Sequence, residues 1–580
     1  MWRFFSSPHF LISLSTALWR KTWGGLYCFV LRRLSARAKH YKSGRAAPPD
    51  LGTAFPAELL PMDAARGQAW LNGDYSLAGA IVRHPQKNMF HIRPPNAEWA
   101  ASLHSFSWLA NIMALGTQEA AQYGAQNLLQ WMRRFSLRHK TAARPEVVAQ
   151  RLLYWSSFLP LLAPYMSVEE QSRTRTTMRQ DARYLAHTAP LAENGWPRLM
   201  ALAGLAYSAF ALADGADRLQ RAMRLLAREL KRQILEDGGH VSRAPDALLS
   251  ILPILIALHD ELTARQLPIP HEIADNIKKM ATLLAFFRHG DGRLAVFNGG
   301  TENHKTYLKT LLARAGIKRQ KPFIYSRASA YHRLQAEKSL LFLDIGEPVM
   351  GAYGTTSHAA PLAFEFSRAS HRLIVNCGPN LVHGQKWRQA SRIPAAHSTC
   401  SFIKPHAEAK FAEGFALQLL GARLTTKNIP KNIHVSARRI EDKSGIWLET
   451  HHNLYARATD MTHHRRLYMS RSGEDIRGED MLLPLGKYTV PKQMEYALRF
   501  HLHPKVKLSA AADGQTILLL LGNGEGWRFR IIKQPNAHLS IGESVYMGEN
   551  GIPRQSRQIV INGLCAADGI SLKWGLKLMT

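Results

Sequence analysis

The stretch AYGTTSHAAPLAFEFS, residues 352–367, sets a single histidine, His358, six residues ahead of a Phe-Glu-Phe strand pattern. Its neighbours are small and hydroxylated, which is not the signature of core packing. A second histidine, His397, lies in WRQASRIPAAHSTCSF, and Asn376 ends the strand-like LIVNCG. Two imidazoles on separate β segments suit metal ligation, but a zinc centre needs further ligands. The same histidines also suit a base or acid, or ordinary loop positions. ENGWPRLMALAGLAY, residues 193–207, brings Asn194, Trp196 and Arg198 to the start of a helix. Free N–H groups there favour anions. Asn194 is the expected N-cap, and Arg198 in the first turn suits a bound anion better than it suits the helix dipole. EDGGHVSRAP, residues 236–245, is a turn followed by His240 and Arg243, with its polar residues expected in solvent. RHGDGRLAVFNGG, residues 288–300, is another Gly-rich loop, carrying His289, Asp291 and Asn298. Neither loop has the spacing of a phosphate cradle.

Helices precede strands in this chain. From about residue 97 to 290 the apolar residues recur with helical period. AEWAASLHSFSWLANIMALG puts Trp99, Leu103, Phe106, Ala110 and Met113 on one face of one helix. QEAAQYGAQNLLQWMRRF and EVVAQRLLYWSSFLPLLAPY predict one helix each, and RLMALAGLAYSAFALA and DALLSILPILIALHDEL are more apolar and more central. After about residue 335 the runs become short and β-branched: KSLLFLDIG, LAFEFS, HRLIVNCG, TILLLLG, WRFRIIK and RQIVING. This predicts an α+β multidomain chain, with an N-terminal α/α toroid (an incomplete barrel) and a C-terminal antiparallel β-sandwich. Residues 1–62 form a basic segment and linker, 63–335 the toroid and 336–580 the sandwich. Pro and Lys in PKVKL mark a guarded sheet edge.

The 580 residues carry 75 Lys plus Arg against 43 Asp plus Glu, a net charge of +32. A polyanion is the implied partner. The basic residues are dispersed and form no nucleic-acid-binding motif, so specific nucleic-acid recognition is disfavoured. Four cysteines without a CxxC pair exclude a disulfide framework and a Cys-rich zinc site. Residues 1–49 hold nine Lys/Arg and no acid around an apolar run too short to span a bilayer. They read as a mobile basic tail, a surface helix making peripheral membrane contact, or a poor cleaved signal.

The order of these stretches, with DAARGQAWLNGDYSLAG, SLHSFSWLANI and the late LRFHLHPKVKL, resembles the heparinase II/III-like polysaccharide lyases over residues 63–562. The resemblance implies β-elimination on an acidic, uronate-containing glycan in a cleft between toroid and sandwich. One group neutralises the carboxylate, a base removes the C5 proton and an acid protonates the leaving oxygen. Asn194 falls where the family's neutralising Asn stands, with Gly195 where a His is often found. The tyrosine expected after DGGH is replaced by Ala247. The family's His-x-His reads Thr356-Ser357-His358, so the catalytic His position is Thr356 and His358 takes a zinc-ligand position. His397 matches another ligand, and the ligand Asp aligns at Asn376.

On this resemblance Asn194, His240, Tyr353 and His358 form the catalytic set. Trp196, Arg198, Arg243, Lys386 and Arg388 bind substrate, and His358 with His397 would hold a structural zinc that lacks its acidic ligand. No cofactor is required. The expected function is a bacterial polysaccharide lyase. The alternative is a non-catalytic protein on the same scaffold that binds acidic polysaccharide or assembles the envelope. The implied location is the cell envelope or periplasm, with a membrane-associated or cytoplasmic site as the alternative. The sequence leaves the oligomeric state open.

Overall fold

The structure, a computed structural model, describes Val30 and residues 50–579, apart from 85–87, 136, 138, 214, 318–322, 381–384, 404–429, 431, 489–492, 536 and 550. The basic N-terminal segment, with its three readings, lies outside the described residues. The chain divides into two compact units that interleave in sequence. The first takes residues up to 234, 248–281 and 310–317, and the second takes 235–247, 282–309 and 318 onward.

The first unit is helical, and its helix starts are written locally. Asn96 accepts from the Trp99 amide at 2.7 Å and Thr117 from Ala120 at 3.2 Å. Ser167 and Glu170 close a capping box. The segment expected as one helix over 97–116 is two, Ala97–Ser105 and Ser107–Met113, because Phe106 adopts φ 63° between them. The break puts the Phe106 ring 5.2 Å from Trp108 and from Trp155, inside the aromatic core. DALLSILPILIALHDEL is likewise split, into a 3-10 turn at Pro245–Ser250 and a helix at Leu252–Ala264. The helices Pro145–Leu162 and Trp196–Ala211 cross at Gly204, where a Cβ would lie 2.6 Å from the Ala149 Cβ.

The second unit is built on two antiparallel sheets. One runs in the spatial order Lys507–Ala510, Thr516–Leu520, Gly526–Ile531, Ile570–Leu578, Asp475–Pro484, Met461–Ser470, Gly445–His452, Val435–Glu441. The strand that follows Pro504 and Lys505, Lys507–Ala510, is its edge, as the PKVKL pattern suggests. The other runs His538–Tyr546, Arg554–Ala566, Gln493–Leu502, His371–Val375, Phe364–Arg368, Ser339–Asp344, Tyr331–Ala336, Tyr325–Ser326, with Cys400–Phe402 also paired to Gln493–Leu502. The core between them is aromatic. Phe364 and Phe500 of the second sheet meet Trp574 of the first at 6.0 and 4.8 Å. Cys377, Cys400 and Cys565 are buried free thiols.

The outer faces differ. In the first sheet burial alternates along the strands, as at Asp475–Pro484, so one face is open to solvent. In the second, Ser339–Asp344 and Phe364–Arg368 are buried throughout. Segment 282–309 covers them, with Phe286 and His289 packed on Phe342 at 5.9 and 4.9 Å.

Candidate functional site

The strand Phe364–Arg368 alternates with period two. Phe364 and Phe366 face the sandwich core. Glu365 and Ser367 therefore face the covering segment, where His289 meets both, at 3.0 Å from the Glu365 carboxylate and 2.7 Å from the Ser367 hydroxyl. Burial pushes the His289 imidazole below its usual range, helped by the Arg372 charge. Glu365 also accepts from the Val296 amide at 3.1 Å and the Asn376 amide at 3.2 Å.

His358 and His397 are brought together at the end of this layer. His358 Nδ1 and His397 Nε2 lie 2.8 Å apart, both residues buried. The far nitrogen of His397 is 2.9 Å from the Ile393 carbonyl, which can only accept. His397 therefore carries its proton on Nδ1, and His358 donates from its own Nδ1. Burial lowers His397 to about 4. Burial, then His397 and Arg392, holds His358 well below the usual imidazole range. The pair is neutral near pH 7, and the lone pair left on His358 is a weak base.

Asn298 connects this pair to Arg243. In a left-handed conformation, φ 49°, Asn298 accepts from the His358 amide at 3.2 Å. Its amide donates to Tyr331 Oη at 2.7 Å and to Asp344 at 3.2 Å. Tyr331 donates to the Arg243 carbonyl at 2.8 Å. The Arg243 guanidinium is itself consumed, bound to the carbonyls of Ser329, Glu347 and Ala330 at 2.9, 3.1 and 3.2 Å and ion-paired with Asp344. It packs flat on Gly346, where a Cβ would come within 2.0 Å of its Cζ. On the other side of the loop, Arg392 clamps the Ser357 and Gly354 carbonyls at 2.8 and 3.1 Å.

The other expected site residues have definite places. His240 is buried beside Ser242, 2.8 Å away, and burial lowers it to about 4. Its turn is not solvated as the sequence suggests. Asp237 accepts from Ser326, from the Ser329 amide and from the Ser329 hydroxyl at 2.6–2.9 Å and staples the turn to the sheet. Tyr353 is half-buried on the loop that carries His358, and Lys386 and Arg388 are exposed on the short helix Gln385–Ala390. Asn194, Trp196 and Arg198 belong to the helical unit. Asn194 is exposed and the N-cap is Gly195 instead, at φ 91°. Arg198 is buried, with Nε and Nη2 donating to the Ala192 carbonyl at 3.1 and 2.7 Å. That bond fixes the turn before the helix.

The residues at the expected zinc position do not fit the metal. The two imidazoles are closed on each other. At the ligand position Asn376 uses its amide nitrogen on the Val296 carbonyl at 3.2 Å and its oxygen on the Ser398 amide at 3.1 Å. Among the described residues no three His, Cys, Asp or Glu side chains converge to hold a metal ion.

Residues 318–575 match the family model Heparinase II/III-like, C-terminal. This part of the chain, within the second unit, is similar to the C-terminal domain of heparinase II/III-like proteins. A relative is FtsZ-localized protein C of Caulobacter vibrioides (strain NA1000 / CB15N), 29% identical over 541 residues, which are 91% of this chain and 90% of that one. Among solved structures, Heparinase III aligns at TM-score 0.68 with 12% identity, over 99% of this chain and 92% of that one. Heparan sulfate lyase HepC from Pedobacter heparinus aligns at 0.55 with 14% identity, over 99% and 91%. The fold is therefore that of heparinase III, an α/α toroid with a β-sandwich, on a polysaccharide lyase-like scaffold.

Sequence reasoning missed Asn298 as the link between His358 and Arg243, and missed Glu365, Asp344 and Tyr331. Glu365 was findable. An acid between two core phenylalanines on a strand must face the other side of the sheet.

Proposed function

We propose that this chain is a non-catalytic heparinase-fold protein that binds an acidic, uronate-containing polysaccharide and works where FtsZ assembles. The observation that carries the reading is the His358–His397 pair. One imidazole donates to the other at 2.8 Å, the acceptor is anchored on Ile393, and burial lowers both. A base for C5 needs a pKa near the working pH, and burial holds both imidazoles of this pair below it. Thr356, exposed on the same loop, stands where the family's catalytic His is expected. The net charge of +32 supports a polyanion as ligand. The relative named for its localisation with FtsZ, matched over 91% of this chain, supports the place of action.

The second reading keeps the elimination reaction. It is favoured by Tyr353, half-buried on the loop of His358 and able to serve as base or acid, and by the likeness to heparinase III. One experiment separates them: the full chain is incubated with heparan-type, alginate and bacterial acidic polysaccharides, following retention and the ultraviolet absorbance of unsaturated uronate. Salt-sensitive retention without product is expected. Product that Tyr353→Phe abolishes would replace the first reading with the second. A fluorescently tagged chain reports the place and compartment, and a signal that ignores FtsZ would remove that part of the proposal.

A further inference from the structure

A cavity of about 470 Å³ opens in the sandwich unit, lined by Asp291, Glu302, Arg372, Lys305, Lys505 and Glu549 among others. It lies at the far end of strand His371–Val375 from the histidine pair. Arg372 is the second residue of the strand and Asn376 follows it, roughly 13 Å apart at the strand rise per residue. Most of its charges are already matched. Arg372 forks onto Asp291 at 2.9 and 3.3 Å, and Arg293 spans Glu302 and Glu549 at 2.8 and 3.2 Å. Arg554 meets Glu549 at 2.5 Å.

Two cationic positions are left over, Lys305 and Lys505, since the Arg372 charge faces Asp291, Glu302 and Glu365. Lys305 and Lys505 line the same cavity, exposed at its rim and without a carboxylate partner among the described residues. A fixed network of Arg and carboxylate oxygens, with Val506 and Leu521 as an apolar wall, presents both donors and acceptors.

We propose that this cavity binds a sugar-sized anion, a single sugar bearing one carboxylate or phosphate. Its anionic group sits on Lys305 and Lys505. Its hydroxyls donate to Asp291, Glu302 and Glu549, and its ring lies on Val506 and Leu521. The cavity volume is within the range of small-ligand sites. The inference does not depend on polymer binding, which is read by retention.

The test is isothermal titration of the full chain with D-glucuronate, glucose 6-phosphate and glucose, beside a Lys305→Ala/Lys505→Ala variant. Both lysines are exposed, so the variant is expected to melt with the parent. At least one anion is expected to bind, with glucose weaker by about tenfold or more and the variant weaker by a similar factor, since each charge-assisted contact is worth that much. Binding of one anion alone identifies the carboxylate or the phosphate as the recognised group. Silence with both anions, or equal binding by the variant, overturns the site.

Discussion

The two sheets of the sandwich unit share one alternation and put it to different use. On the outer face of the eight-stranded sheet, Glu449, Arg466, Glu479 and Lys573 stand opposite one another in register. They form a charge ladder with separations of 3.5–3.7 Å, and Arg466 is 51% exposed. On the outer face of the nine-stranded sheet, Asp344, Glu365 and Ser367 occupy the corresponding alternate positions, but segment 282–309 covers them and they are buried. A polar side chain under cover must have its partner, because water no longer supplies one. In solvent the same side chain is optional. The covering segment, more than the residue types, turns one face into a connected polar layer.

Asp344→Ala is the harshest way to break this contrast. It strands the Arg243 guanidinium and removes the acceptor of Asn298. Losing one partner of a buried ion pair costs about 3–5 kcal/mol, so the urea midpoint should fall steeply, or folded protein should be lost. A loss below about 1 kcal/mol would mean that the layer is wet, and would remove the distinction between the two faces.

Much of the architecture is legible in the sequence because it is local. The Ser167–Glu170 box, the Asn96 cap and the short β-branched runs from Ser339 onward each state their element. The switch from helices to strands follows from them. The break at Phe106 is not legible, since the apolar period continues across it and only the aromatic core selects its left-handed backbone. The site is legible in part. His358 and His397 stand out as chemistry-bearing residues and do meet. That they satisfy each other depends on the Ile393 carbonyl and on burial, which no spacing encodes. Arg198 and Arg243 read as substrate-facing cations, but their guanidinium groups hold backbone carbonyls.

The pH response sharpens the comparison. His240 and His397 are lowered to about 4 by burial, against an unfolded value near 6.5. The folded pKa is the lower one, so the unfolded chain binds more protons between these values. Their contribution to stability is complete above about pH 6.5 and is lost as the pH falls toward about 4. The loss is roughly 1.4 kcal/mol per pH unit for each histidine. Denaturation midpoints at pH 7.5 and pH 5 should therefore differ clearly, and His397→Gln should flatten the difference. An unchanged slope in that variant would mean that His397 is already charged or solvated, and would reopen it as a base.

The smallest expected effect is on the open ladder. Arg466→Ala removes two contacts at 3.5 Å, to Glu449 and Glu479. Such exposed pairs are worth about 0–1 kcal/mol and are screened by salt. The midpoint should shift by no more than about 0.5 kcal/mol and the shift should vanish in high salt, because water replaces the guanidinium at once. If Arg466→Ala instead cost as much as Asp344→Ala, the eight-stranded face would have to be covered in solution. A second molecule on that face would then supply the desolvation that segment 282–309 supplies on the other.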